Sequence, residues 1–175
     1  YGQGYVDILN PEEKGWIARS PFQDDENYRK KFYSFMESMQ HGQMDDARIL
    51  ASYSAQLARD NTMAEAIIEA IDQHSSAQVI HLNGSFHSES GLGTVALIKQ
   101  RRPNLKISVI TPINRELGQA LKLDNEEAGL GNYLYFTAAQ PVEFVDANYK
   151  RKARMNMFKN ASKKAKQCRS PGKIQ

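Results

Sequence analysis

Two helical stripes dominate the first half of the chain, because apolar residues there recur at intervals of three and four, the spacing of one face of an α-helix. The first stripe, within residues 27–40, comprises Tyr28, Phe32, Phe35, Met36 and Met39. The second starts near Asp45 or Asp46, ends near Asp72 or His74, and comprises Leu50, Tyr53, Leu57, Ala64, Ile67 and Ile71. The pattern predicts two helices separated at His41-Gly42, the second being the longest element.

A carboxylate interrupts the stripe of the long helix. Asp60 falls in register between Leu57 and Ala64, so its side chain is expected on the buried face. A buried carboxylate destabilises the fold unless a donor pairs with it. We expect that donor to be a neighbouring arginine such as Arg59, a loop N–H or a metal ion, and Gln56, one turn earlier, could join the network. Structural pairing is the favoured interpretation.

Shorter runs after residue 76 predict β-structure. Residues 77–83 are rich in apolar side chains and lead directly into Gly84, as in a buried strand that ends in a tight turn. A helix over 91–100 and a second strand over 104–111 follow. Strand, helix and strand at this spacing form a βαβ unit with parallel strands. Residues 132–138 are a third strand candidate.

These elements predict an α/β fold with a mostly parallel sheet and an inserted helical region that contains one long helix. Residues 1–25, with one short helical turn after Asn10, form a connecting segment, followed by the helical region (26–74) and the sheet part (77–138). Hydrophobic residues make up 41% and charged residues 25%, as in soluble globular proteins. No apolar run approaches the roughly 20 residues of a membrane-spanning helix.

The formal net charge of +3 averages two unlike segments. Residues 1–146 carry 13 bases and 20 acids, a net charge of −7, whereas ten Lys or Arg residues and no acid follow Asp146. The basic tail, 147–175, can contact an anionic surface. Like-charge runs are commonly solvated, which is the favoured interpretation, and no specific nucleic-acid partner is predicted.

The best candidate for chemistry is the loop 84–94, Gly-Ser-Phe-His-Ser-Glu-Ser-Gly-Leu-Gly-Thr. Ligands of parallel sheets gather where strands end and helices begin. His87 in this loop can ligate a metal, bind haem iron or act as a general base, although a lone loop histidine is more often structural. Glu89 can orient the ring or share a metal, although a surface glutamate is the commoner case. Signatures of P-loop, serine-hydrolase and HExxH zinc proteins are absent from the sequence.

Two ordered motifs resemble the ChaN-like family. Gln56-Leu-Ala-Arg59-Asp60-Asn-Thr-Met63-Ala64 is similar to the family's helical motif, which runs approximately aQ-x-x-rD-x-x-MA. The segment 79–94, Val-Ile-His-Leu-Asn-Gly-Ser-Phe-His-Ser-Glu-Ser-Gly-Leu-Gly-Thr, resembles the family's strand and G-x-x-H loop. The resemblance covers roughly residues 25–112 and includes both motifs in the expected order.

The resemblance implies that residues 1–146 are the C-terminal part of a ChaN-like α/β domain of the Tiki superfamily. The family's N-terminal half opens with a strand and a G-E-x-H motif, neither of which is in this chain. The implied ligand is haem or an iron complex, held near the carboxyl end of the sheet and between the subunits of a homodimer. The implied setting is iron uptake by a membrane-associated lipoprotein or periplasmic protein, and we expect its signal to lie outside this chain.

Carried over to this sequence, the resemblance implies a set of site residues. The expected haem or ligand contacts are His87, Arg59, Asp60, Ser85 and Gly84, and the expected metal contacts are His87 and Glu89. A binding protein is favoured over an enzyme. The alternatives are a divalent-metal-dependent hydrolase of the Tiki type, whose catalytic residues stay unassigned, and an incomplete structural or partner-binding fragment.

Overall fold

The computed structural model of the chain describes residues 6–7, 9–19, 22–38, 46–74, 76–141 and 143–168, with side chains as far as 164. These residues form the helices α1 (Pro11–Lys14), α2 (Glu26–Ser38), α3 (Asp46–Gln73), α4 (Thr94–Arg101) and α5 (Ala147–Cys168). They also form the strands β1 (Ile110–Arg115) and β2 (Tyr133–Ala138). The chain separates into two compact units, Tyr1–Thr137 and Ala138–Gln175.

The helices α2 and α3 pack through the two predicted stripes. Their shared core consists of Tyr28, Phe32, Ile49, Tyr53 and Leu57. Leu50 was assigned to this face but is exposed, because Ile49 continues the four-residue spacing of Tyr53 and Leu57 along the buried row. Phe35, also in the predicted stripe, is partly exposed, whereas Met39 and His41-Gly42 lie outside the described residues. The long helix is confirmed.

A second core joins α3 to α4. Ala64 of α3 packs with Leu97 and Ile98 of α4, and the partly buried side chains around them include Ile67 and Leu105. The helix α4 begins at Thr94, three residues after the predicted start, because residues 85–91 form two short 3-10 turns. This packing holds the loop that contains His87 against the middle of α3.

The strands β1 and β2 form a two-stranded parallel sheet. The carbonyl of Val109 accepts hydrogen bonds from the N–H groups of Asn132 and Tyr133 at one end of the pair. At the other end, the Thr137 hydroxyl donates to the side chain of Asn114 over 2.6 Å. Val109 is 23 residues before its partner Asn132, and Asn114 is 23 residues before its partner Thr137. A constant separation between partners is what two parallel strands require. The α/β class and the third predicted strand are confirmed. The second predicted strand, 104–111, overlaps β1 only at residues 110–111, because β1 begins at Ile110 and continues through Pro112 to Arg115.

The prediction of a buried strand over 77–83 is wrong. The segment forms no strand, no described residue forms a ladder with it, and Ile80 and Leu82 are 86% and 89% exposed. An apolar run becomes a strand only when a neighbouring strand satisfies its N–H and C=O groups. Among the described residues the parallel pairing is therefore found between β1 and β2, and the βαβ unit expected around 77–83 does not form.

The connecting segment contains the expected helical turn after Asn10. Asn10 caps α1 and exchanges side-chain and backbone hydrogen bonds with Glu13, each 2.9 Å long. Further along, Gln23 and Asn61 are joined by two hydrogen bonds of 3.0 Å, which attach the segment to α3. In the second unit, the basic tail forms α5. None of the helices that the structure describes is both long and apolar enough to span a membrane.

Candidate functional site

A buried carboxylate forms the centre of the candidate site. Asp60 on α3 is completely inaccessible to solvent and accepts hydrogen bonds from three different elements. The hydroxyl of Tyr28 on α2 donates to Oδ2 over 2.8 Å, and the hydroxyl of Thr94 on α4 donates to Oδ1 over 2.7 Å. Nδ1 of His87 lies 2.9 Å from the same Oδ1. These partners compensate for the loss of water around the carboxylate.

The burial of Asp60 was predicted, but its partners were not. The expected donors were a neighbouring arginine, a loop N–H or a metal ion. The guanidinium of Arg59 instead donates to Oε1 of Gln56 over 3.2 Å, on the exposed side of the helix. Gln56 does join the network, as expected, because its Nε2 donates to the Tyr28 hydroxyl over 2.9 Å. The hydroxyl donors were missed because Tyr28 and Thr94 are 32 and 34 residues from Asp60.

The network keeps Tyr28 protonated. Burial raises the pKa of the Tyr28 phenol, and the adjacent charge of Asp60 raises it further. The hydroxyl therefore keeps its hydrogen and donates it to the carboxylate, while its oxygen accepts from Gln56. Tyr28 thus acts as a fixed donor that holds the carboxylate in place.

The orientation of His87 follows from its carboxylate partner. An ionised carboxylate only accepts hydrogen bonds, so the ring nitrogen that faces it, Nδ1, carries the hydrogen. In the neutral ring Nε2 then keeps its lone pair, and the side chain is 20% exposed. Nε2 of Gln56 lies 3.2 Å from Nδ1 and 3.4 Å from Nε2, so it approaches the ring between both nitrogens rather than along either lone pair. Nε2 is the atom of His87 that can bind a metal or accept a proton.

Gly93 makes the close approach of α4 possible. Its φ angle is +55°, a conformation that other residues rarely adopt, and a Cβ at this position would lie 2.6 Å from the His87 carbonyl oxygen. The same Cβ would lie 3.1 Å from Cζ of Tyr28. A side chain here would push the start of α4 away from the His87 loop and move the Thr94 hydroxyl from Asp60.

Gly84 and Ser85 lead into the 3-10 turn that presents His87. The backbone of Gly84 is extended, and a Cβ there would lie 3.9 Å from Cδ2 of the His87 ring, an ordinary contact distance. Ser85 is exposed, and its carbonyl accepts the N–H of Ser88 over 3.0 Å. Both residues therefore position the histidine through the backbone.

Glu89 has a different partner from the one expected. Its carboxylate pairs with Nζ of Lys31 at 2.8 Å, and Nζ also donates to the carbonyl of Phe86 over 3.1 Å. The described part of the chain contains no group of three or more His, Cys, Asp or Glu side chains arranged to hold a metal ion. A shared metal at His87 and Glu89 stays a prediction.

The aromatic side chains of the predicted α2 stripe anchor the loop through Phe86, whose part in this cluster the sequence did not reveal. The Phe86 ring lies 5.2 Å from that of Phe35, 5.8 Å from that of Tyr28 and 6.2 Å from that of Phe32, measured between centroids. These contacts hold the residue before His87 against α2. Because Phe35 is partly exposed, an aromatic surface borders the histidine loop.

The loop meets the sheet region at the amino end of β2. The N–H of Ser90, which has a φ angle of +59°, donates to the carbonyl of Leu130 over 2.9 Å, three residues before β2 begins. The sequence predicted that this loop follows the carboxyl end of a strand over 77–83. That prediction is wrong because residues 77–83 do not pair with another described segment, so the strand next to the loop is β2.

A separate open cleft of about 480 Å³ contains none of the residues of the Asp60 network. It is lined by Arg19, Gln23, Glu65, Ile68, Glu69, Arg101 and Arg102. Burial lowers the pKa of Arg101, whose guanidinium hydrogen-bonds to Asn61. The cleft carries charges of both signs and lies outside the residues that the sequence motifs single out.

The hydrogen-bond network around Asp60 lies within the part of the chain that matches a known protein family. The model of a family described as haem-binding uptake, Tiki superfamily, ChaN, matches residues 2–98. No curated protein and no solved structure matches the chain. The matched region contains every side chain of the network, from Tyr28 through Gln56, Arg59 and Asp60 to His87 and Thr94.

Proposed function

This chain belongs to the haem-binding uptake family, ChaN, of the Tiki superfamily, and we propose that its haem or iron complex is held at His87. The observation that carries the proposal is the 2.9 Å contact between Nδ1 of His87 and the buried Asp60. A carboxylate in this position fixes the ring tautomer and increases the basicity of the opposite nitrogen. Nε2 of His87 would then hold the iron, or accept a hydrogen bond from the group that does.

The surroundings of His87 fit a large, flat, partly apolar ligand with acidic groups. Phe86 and the partly exposed Phe35 provide aromatic surface beside the loop. Arg59 is exposed and uses one guanidinium N–H on Gln56, which leaves further donors for a propionate. Haem, when bound, would supply an iron centre that binds a nitrogen ligand. Asp60 orients the His87 nitrogen, and Arg59 neutralises a propionate of the ligand.

Haem titration followed by absorption spectroscopy tests the proposal. We expect a Soret band that His87→Ala shifts or abolishes and that Arg59→Ala weakens. His81→Ala is the matched control, because His81 is an exposed histidine on the segment before the loop. A Soret band that His87→Ala leaves unchanged, or that His81→Ala reduces as strongly as His87→Ala does, would place the ligand elsewhere.

The contact between His87 and Asp60 also favours a second candidate function, that of a divalent-metal-dependent hydrolase. A histidine oriented by a carboxylate is the usual form of a metal-binding or general-base imidazole. The hydrolase hypothesis predicts a metal ion that copurifies with the protein and a peptide-hydrolysing activity that chelators abolish. Haem binding that persists in the presence of a chelator, with no such activity, supports the binding protein instead.

We further propose that the chain functions in iron uptake at the cell envelope as a homodimer. The family's description as haem-binding uptake proteins supports the setting. Light scattering after size-exclusion chromatography, with and without haem, tests the dimer. A monomer under both conditions would contradict a ligand shared between subunits.

A further inference from the structure

The helix α5 differs from the rest of the chain in its charge. Its 22 residues contain eight Lys or Arg residues and no acid. The preceding residues 1–146 carry a net charge of −7, so α5 concentrates the positive charge of the protein on one element. An isolated helix with this composition attracts polyanionic surfaces.

The middle of α5 also carries exposed apolar side chains. Met157 and Phe158 are 58% and 66% exposed, and Met155 is exposed as well. Met155, Met157, Phe158 and Ala161 lie within an arc of about 160° around the helix, and the lysines at 159 and 163 lie outside that arc. In the two turns before them the same arc carries Lys150, Arg151 and Arg154, so the apolar patch is confined to residues 155–161. Lys152, Lys159 and Lys163 follow the spacing of a different face, and all three are exposed.

We propose that α5 is a peripheral membrane-binding helix that lies on the surface of a bilayer rich in anionic lipid. The apolar patch 155–161 enters the boundary between headgroups and acyl chains, while the lysines and arginines of α5 contact the lipid phosphates. These bases along the helix keep it at the surface of the bilayer.

Two other occupants fit the helix less well. A second copy of α5 would bring a second set of eight bases into contact with the first, and like charges repel. A nucleic acid would use the bases, but its affinity comes from phosphate contacts and gains little from a Met and Phe face. Anionic lipid accounts for both the charge and the apolar side chains.

Vesicle cosedimentation of the full chain tests the proposal. We expect binding to vesicles that contain about a third phosphatidylserine, and binding at least roughly a hundredfold weaker to pure phosphatidylcholine, because all eight bases of α5 lose their attraction there. Lys159→Gln with Lys163→Gln, and Met157→Gln with Phe158→Gln, should each reduce the partition coefficient about tenfold. Leu117→Gln is the matched control, because Leu117 is a highly exposed apolar residue outside α5.

A spectroscopic measurement separates insertion from charge attraction alone. In a Trp16→Phe, Phe158→Trp variant, the single tryptophan should shift its emission to the blue and be quenched by brominated lipid on anionic vesicles. Binding without a blue shift, or tighter binding to single-stranded DNA than to the vesicles, would overturn the proposal. These variants should bind haem like the unsubstituted chain. Loss of membrane binding can therefore be distinguished from loss of haem binding.

Discussion

The imidazole of His87 lies 2.9 Å from the buried carboxylate of Asp60, although the two residues are 27 positions apart. One belongs to a solvent-facing 3-10 turn and the other to the inaccessible face of a 28-residue helix. Their contact joins the accessible surface to a hydrogen-bond network in the core. The geometry of the proposed ligand site therefore depends on core packing, and variants in the core should alter ligand binding.

Asp60→Asn tests the orientation of His87 without changing side-chain shape. The amide oxygen can still accept hydrogen bonds, but the substitution replaces the other carboxylate oxygen by an NH2 donor and removes the charge that fixes the hydrogen on Nδ1. We expect haem affinity to fall roughly 10- to 100-fold, as for other carboxylates behind ligating histidines. Titration with the Soret band measures the change. Unchanged affinity in a folded Asp60→Asn protein would show that the histidine needs no carboxylate partner.

Asp60→Ala should destabilise the fold strongly. It leaves the Tyr28 and Thr94 hydroxyls buried without an acceptor, and we expect the free energy of unfolding to fall by about 3–5 kcal/mol. Asp72→Ala is the matched control on the same helix, because Asp72 forms a largely exposed ion pair with Arg102. That substitution should cost about 1 kcal/mol or less. Urea denaturation followed by circular dichroism measures both, and equal losses would contradict the structural role of the network.

Gly93→Ala should disturb the site through two separable effects. The added Cβ meets the His87 carbonyl oxygen at 2.6 Å, and the positive φ angle is itself unfavourable for alanine. Gly118→Ala carries the φ cost alone, because Gly118 has a φ of +87° and no heavy atom within 4 Å of an added Cβ. We expect a loss of about 1 kcal/mol for Gly118→Ala and about 2–4 kcal/mol for Gly93→Ala. Thermal unfolding measures both losses. If the two variants lose the same stability, the close contact between Gly93 and the His87 carbonyl is not important for the packing of α4.

Two buried tyrosines should resist ionisation at high pH. Burial raises the pKa of Tyr28 and of Tyr53, and hydrogen bonds to the carboxylates of Asp60 and Asp24 add to the effect. A tyrosine with a raised pKa in the fold contributes stability that is complete below its ordinary value of 10 and is lost as the pH rises above it. The fold should therefore weaken above pH 10.

Absorbance at 295 nm measures this ionisation. In the folded chain Tyr28 and Tyr53 should ionise only as the protein unfolds, whereas in denaturant all eight tyrosines should titrate together. Tyr28→Phe and Tyr53→Phe should each remove one delayed step. A folded protein in which all eight tyrosines ionise in one step would show that neither phenol is held by its carboxylate.

Local spacing in the sequence was sufficient to predict the two packed helices, the burial of Asp60 and the strand at 133–138. Helical periodicity depends on residues three and four apart, so Tyr28, Tyr53 and Leu57 identify their own buried face. The loop with His87 was also evident, from its glycines and from the resemblance of its motif to one family.

Only the tertiary structure decided which side chains meet. Tyr28, His87 and Thr94 converge on Asp60 from separations of 27 to 34 residues, and no local pattern encodes that convergence. For the same reason the apolar run at 77–83 was mistaken for a strand. Its composition permits an extended backbone, but only a neighbouring chain segment with free N–H and C=O groups could make it part of a sheet.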